Sequence, residues 1–191
     1  MNYNDLINIL LTDKPSILIK ENEKDIFDLV PELKLSKGFN QNTIWHIYDV
    51  YNHTLNVIDN VDNNILLRIT AFFHDIGKPF VYYEDELGKG HFKGHWNKSL
   101  EIFNNYKDKF NLSEKEKNII SNLILYHDIR VEKMSVEEIG NLVNILTKEE
   151  IIILYKIKRS DLLSQNPKFH YMLEDYDKQE IKILSKYKVD L

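Results

Sequence analysis

The stretch Thr70–Phe80, TAFFHDIGKPF, sets His74 and Asp75 side by side behind two phenylalanines and then breaks off at Gly77 and Pro79. The apolar run places the pair against a core. A charged pair there is costly to desolvate unless an opposite charge compensates. A divalent cation is one such charge, and imidazole and carboxylate are ligand types that hold one. The chain has no cysteine, which excludes disulfides and thiolate metal sites. Any metal must then be held by histidine and carboxylate.

Outward from this stretch the signals are helical. SEKE (Ser113–Glu116), SVEE (Ser135–Glu138) and TKEE (Thr147–Glu150) each pair a Ser or Thr with a Glu three residues on, which is the capping-box pattern. Helices are predicted to start near 114, 136 and 148, the last two with the hydrophobic staples Met134–Ile139 and Leu146–Ile151. Apolar spacing predicts further helices over about 4–11, 22–32, 48–60, 63–76, 95–107 and 171–187. FVYYEDELGKGHFKGH (Phe80–His95) reads differently. Its β-formers alternate around a glycine turn, which predicts a short hairpin or ordered loop near 80–93. Four of the six glycines lie between Gly77 and Gly94, and such a loop in a helical chain is a place for function.

The predicted class is an all-α helical bundle carrying this one hairpin. A single domain over residues 1–191 is expected, with a metal-binding core over about 45–165. The formal net charge of −5 argues against a binder of phosphate backbones. No apolar run approaches a membrane span, and the N-terminal MNYNDLINILLTDKP lacks the basic flank of a signal peptide. A cytoplasmic location without a membrane partner is the default expectation.

Several polar residues fall on apolar stripes. His53 follows Val50 by three, His74 follows Ala71 by three, His127 follows Leu123 by four, and Asp161 follows Ile157 by four. Residues so spaced share a helix face, so these groups are expected to point inward. One such histidine alone reads as a satisfied core residue, and Asp161 alone as a buried cap or ion-pair partner. Together with Asp75 they come from four predicted helices, and a bundle core is where facing helices assemble metal sites. The dipeptide recurs as His127-Asp128, but there only His127 lies on a stripe and Asp128 is expected at an exposed helix end.

In this order, His53, then His74-Asp75, then a distal Asp161, the sequence resembles the HD superfamily of metal-dependent phosphohydrolases. His95 in KGH and His127 in LYH resemble the added ligands of subfamilies that hold two metals. The likeness is nearest to the HD region of bacterial CCA-adding tRNA nucleotidyltransferases. It rests on PELKLSKGFNQ (Pro31–Gln41), WHIYDVYNHTLNVI (Trp45–Ile58), FFHDIGKP, EDELGKGHFKGH, LSEKEKNIISNLILYH and LYKIKRSDLLSQNP, in order over roughly residues 25–170. The nucleotidyltransferase head of those enzymes, with its Gly-Ser loop and paired aspartates, has no counterpart in the residues before His46, so nucleotide addition is not expected.

The resemblance implies an HD-domain bundle in which His53, His74, Asp75 and Asp161 hold one ion. Asp75 would bridge to a second ion held by His95 and His127. The ligand set suits Mn, Fe, Co, Ni or Zn, or Mg. Lys78 either reaches a phosphate as a point charge or is a cation at a helix C-terminus. His91 and Lys93 are candidate substrate contacts or leaving-group acids. Arg68, seven residues before Asp75, is a candidate to orient that carboxylate or bind substrate, with a surface ion pair as the alternative. His46 and Asp49 are candidates to support the ligands, and His170 is assigned to the surface. The expected activity is hydrolysis of a phosphoester in a nucleotide or small phosphorylated metabolite. The alternatives are a dinucleoside polyphosphate hydrolase or a tRNA-binding regulatory module, tRNA being possible but not favoured.

Overall fold

Local sequence dictates most helix starts. In the computed structural model, which describes residues 1–187, Asn2 and Asp5 form a capping box that opens α1 (Tyr3–Leu10). Pro15 sits in the first turn of α2 (Pro15–Glu21), and α3 (Glu23–Leu29) and α4 (Pro31–Lys34) follow. The single helix expected over 22–32 is broken at Val30, which takes φ −133° and ψ 80°. The ring of Pro31 disfavours helical backbone in the residue before it, so the helix ends and restarts. α2 was not predicted, because seven residues burying only Pro15 and Ile19 give too short a period to read.

Asp49 caps α5 (Val50–Asn60), and Asn64 caps α6 (Ile65–Phe73). The helix expected over 63–76 stops at Phe73, and His74 to Gly77 form a turn into the short α7 (Lys78–Val81). The hairpin is present but small. β1 (Tyr83–Glu84) pairs antiparallel with β2 (Gly90–His91), Tyr83 opposite His91 and Glu84 opposite Gly90. Phe80, expected in the hairpin region, belongs to α7.

The remaining α-helices are α8 (His95–Tyr106), α9 (Glu114–Tyr126), α10 (Val136–Ile145), α11 (Lys148–Leu163) and α12 (Leu173–Leu184). The three capping boxes read from the sequence are formed at Ser113, Ser135 and Thr147. The fold is thus an all-α bundle with one two-stranded ribbon among the described residues. No helix among them is long and apolar enough to cross a membrane.

Two apolar clusters frame the bundle. One gathers Phe72, Phe73, Phe103 and Tyr106 with the inner faces of α1, α3, α5 and α6. The other gathers Ile139, Leu142, Leu146, Ile151, Leu154 and Tyr155, so both staple pairs contribute to it. α11 packs on α5, α6 and α9, which brings the inward stripes of these four helices to one place.

Candidate metal centre

The turn after α6 places His74 and Asp75. His74 keeps helical backbone at φ −54° and ψ −43°, and its N–H donates to Thr70 O at 2.8 Å. Gly77 lets the turn lie against the start of α8. A Cβ there would stand 2.6 Å from both His95 O and Ser99 N, so a larger residue would push the His74-Asp75 turn away from the helix carrying His95. The Gly77 N–H donates to Ser99 Oγ at 3.0 Å and ties the two together.

Four imidazoles converge on Asp75, and main-chain carbonyls set their orientation. Nδ1 donates to Ser164 O from His53 (3.3 Å), to Ala71 O from His74 (2.7 Å), to Phe92 O from His95 (2.9 Å) and to Ile124 O from His127 (2.7 Å). A carbonyl only accepts, so each Nδ1 carries the proton and each Nε2 is turned inward. Asp75 Oδ2 lies 3.3 Å from Nε2 of both His53 and His74, and Oδ1 lies 3.2 Å from His95 Nε2 and 3.5 Å from His127 Nε2. Asp161 Oδ1 is 2.8 Å from His53 Nε2 and 3.7 Å from His74 Nε2.

These contacts make two ligand groups, His53–His74–Asp75–Asp161 and Asp75–His95–His127, with ligand atoms within 4.8 Å of one another in each. The donor set fits a divalent ion on three further observations. His74 Nε2 is buried without a hydrogen-bond partner, and Asp75 Oδ2 has no aligned donor although Lys78 Nζ is 2.6 Å away. Orphaned buried polar atoms are rare and point to a missing partner. Across the cluster, His95 Nε2 faces His127 Nε2 at 3.0 Å. With both Nδ1 protons committed to carbonyls, two lone pairs meet there unless a proton or a metal ion lies between them. The buried cluster is therefore compatible with a bound divalent metal.

Electrostatics inside the cluster are strong. Burial works to raise the Asp75 carboxyl, but the His74 and Lys78 charges and the close approach of His127 and His53 outweigh it and hold it well below the ordinary range. Asp161 is likewise held well below its usual value, burial being outweighed by His53 and His74. Burial disfavours charge on His74, yet the Asp75 charge and then the nearby Asp161 carboxylate push it up to about 10. His53 is raised too, burial being outweighed first by the Asp161 carboxylate at 2.8 Å and then by Asp75. His127 is lowered, by burial first and then by the neighbouring His95 and His74 charges.

The surroundings sort the remaining candidates. Lys78 is buried, with Nζ 2.8 Å from Gln41 Oε1 as well as beside Asp75. His91 pairs with Asp85 at 2.8 Å and stacks on Tyr83. His91, Lys93 and Lys78 all line a cleft of about 1550 Å³ that reaches Asp75, His95, His127 and Asp161. His46 lies with its ring 5.0 Å from that of His53, and burial and then the Lys78 charge push it down to about 2. Asp128 is exposed, as expected.

Three expectations need correction. The Arg68 guanidinium does not reach Asp75 or the cleft. Its Nε donates to Asp62 O at 3.2 Å and its Nη1 to Ile58 O at 2.5 Å, bracing the α5–α6 connection. Asp49 is occupied as a cap, accepting from Asn52 N–H and Gly38 N–H at 2.7 Å each. His170 is half-buried, with its Nε2 enclosed.

Sequence reasoning missed several supports. Gln41 holds Lys78 and donates to Tyr48 O at 3.2 Å. Ser164 supplies the carbonyl for His53, and Gln165 donates to Asp161 Oδ2 at 2.8 Å. Lys158 is buried between α9 and α12, and a signal for it existed, since it follows Leu154 by four on the stripe that carries Asp161.

Comparison with known proteins adds one positive finding. A family model described as HD domain matches residues 43–163, a span that includes every residue of both ligand groups. No curated protein sequence matches the chain.

Proposed function

The chain belongs to the HD domain family, whose members are generally metal-dependent hydrolases, and from that premise we propose that it hydrolyses a phosphoester in a nucleotide or small phosphorylated metabolite. The observation that carries this reading is the position of Asp75. One carboxylate faces His53 and His74 through Oδ2 and His95 and His127 through Oδ1, which supports two ligand positions joined by it. His53, His74, Asp75 and Asp161 would hold one ion, and Asp75, His95 and His127 a second. When bound, such ions supply an activated water at neutral pH and positive charge against phosphoryl oxygens.

The chain's own residues do the rest. The carbonyl-bound Nδ1 protons hold the imidazoles in the tautomer that ligation needs. Lys78, gripped by Gln41, keeps Asp75 ionised and faces the cleft where a phosphate would lie. His91, braced by Asp85, and Lys93 line the same cleft and are the candidate contacts for the leaving group. The resemblance to the HD region of tRNA nucleotidyltransferases is what favours a nucleotide.

A second reading, hydrolysis of a dinucleoside polyphosphate, is favoured by one observation. The cleft of about 1550 Å³ exceeds the usual range for a small-molecule site, roughly 300–1000 Å³. The test is release of phosphate, opening of a cyclic phosphate or cleavage of a phosphoanhydride, with added Mn, Co, Ni or Mg. Metal-dependent turnover of one class is expected. No turnover across the three classes, with tRNA bound in a salt-dependent way, would replace this reading with a binding module.

A further inference from the structure

Lys158 is a buried cation outside both ligand groups. It sits on α11 one turn before Asp161, with 5% of its surface exposed. Its Nζ donates to Ile129 O at 2.7 Å and to His127 O at 3.3 Å, and lies 5.0 Å from the centre of the Tyr176 ring on α12. Burying an ammonium is costly unless its donors are used, and here they are used on the turn that carries His127. That turn follows the last residue of α9, where main-chain carbonyls lack helical partners. It closes with a bond from Ile129 N–H to Tyr126 O at 3.0 Å.

The consequence is geometric. Asp161 belongs to one ligand group and His127 to the other, and they come from different helices. The backbone of His127 is tied to α11 through Lys158, three residues from Asp161. We propose that Lys158 is a positioning residue that holds the His127 turn in register with Asp161 and so sets the second metal position. This rests on the two-position reading above. A cation placed there only to offset the α9 dipole would stabilise the fold without distinguishing the two positions.

The test is calorimetric titration of the metal-free 191-residue chain with Mn, comparing Lys158→Met and Lys158→Gln with the unsubstituted protein. The unsubstituted chain should take up two ions. In Lys158→Met the second ion should bind about 10–100-fold more weakly, the size of loss seen when ligand supports are removed, with the first within about threefold. Lys158→Gln, which keeps an N–H donor, should fall between. Two ions bound unchanged by Lys158→Met would overturn the role of Lys158 and leave the two-position reading intact. Equal weakening of both ions, or loss of the fold in both variants, would make Lys158 a structural cation only and also overturn the proposal. One ion in the unsubstituted chain would remove the two-position reading and this proposal with it.

Discussion

The two halves of the cluster use the same ligand types but differ in charge. His53 and His74 face two carboxylates, Asp75 and Asp161, and both imidazoles are raised. His95 and His127 face only the shared Asp75, and His127 is lowered. Carboxylates beside an imidazole favour a proton on it as well as a metal next to it, whereas burial beside a second imidazole disfavours the proton. Carboxylate count, not histidine count, thus decides how hard a metal must compete with protons in each half.

The largest expected effect comes from the shared residue. Asp75→Asn should weaken metal binding in both halves by about 100-fold or more, since it removes a ligand and not merely a support. Metal analysis and titration check this, and loss from one half alone would break the picture of a bridge. Single-half variants should then separate the two. Asp161→Asn should weaken the first half and His127→Ala the second, each by roughly 10–100-fold, with the other half changing by less than about threefold.

pH sharpens the same contrast. In the metal-free chain the Asp75 charge pushes His74 up to about 10, so the stability it lends is full below the ordinary histidine range and is lost as pH rises toward that value. Metal must displace that proton, so affinity in the first half should rise about tenfold per pH unit for each proton displaced across pH 6–8. The second half, where His127 is already lowered, should respond less steeply. The depressed carboxyls work in the opposite direction, their stabilisation persisting above the ordinary carboxylate range and fading as pH falls through it. Mn titrations at three pH values test this, and equal slopes for both halves would contradict it.

The smallest effects concern the supports. Gln41→Leu strips the buried Lys78 ammonium of one acceptor and should cost about 1–3 kcal/mol of stability, with weaker phosphoester turnover. Arg68→Ala should cost a similar amount, about 1–3 kcal/mol, with metal affinity unchanged. Urea unfolding alongside Mn titration checks both, and an Arg68→Ala variant that lost metal would restore Arg68 to the site.

How much of this was legible follows from how local each signal is. The capping boxes at Ser113, Ser135 and Thr147 are short-range patterns and were read correctly. His53, His74 and His127 sit on helical stripes, and the period predicted their burial. Arg68 was misplaced because its spacing of seven from Asp75 was extended through a helix that ends at Phe73. His74 still keeps helical backbone, but from Asp75 to Gly77 the chain turns and the period no longer describes direction. The break at Val30 carried a signal in Pro31, whereas Gln41 carried none, because it lies in a loop and acts through a lysine thirty-seven residues away. The roles of Ser164 and Gln165 depend on where the end of α11 meets α5 and its own last turn, which only packing decides.

The central claim is that Asp75 bridges two metal positions. Anomalous diffraction from crystals of the full chain grown with saturating Mn tests it most directly. The account predicts two peaks flanking the Asp75 carboxylate, one bounded by His53, His74 and Asp161 and the other by His95 and His127. A single peak with His95 and His127 out of contact, or no peak beside Asp75 at all, would contradict it.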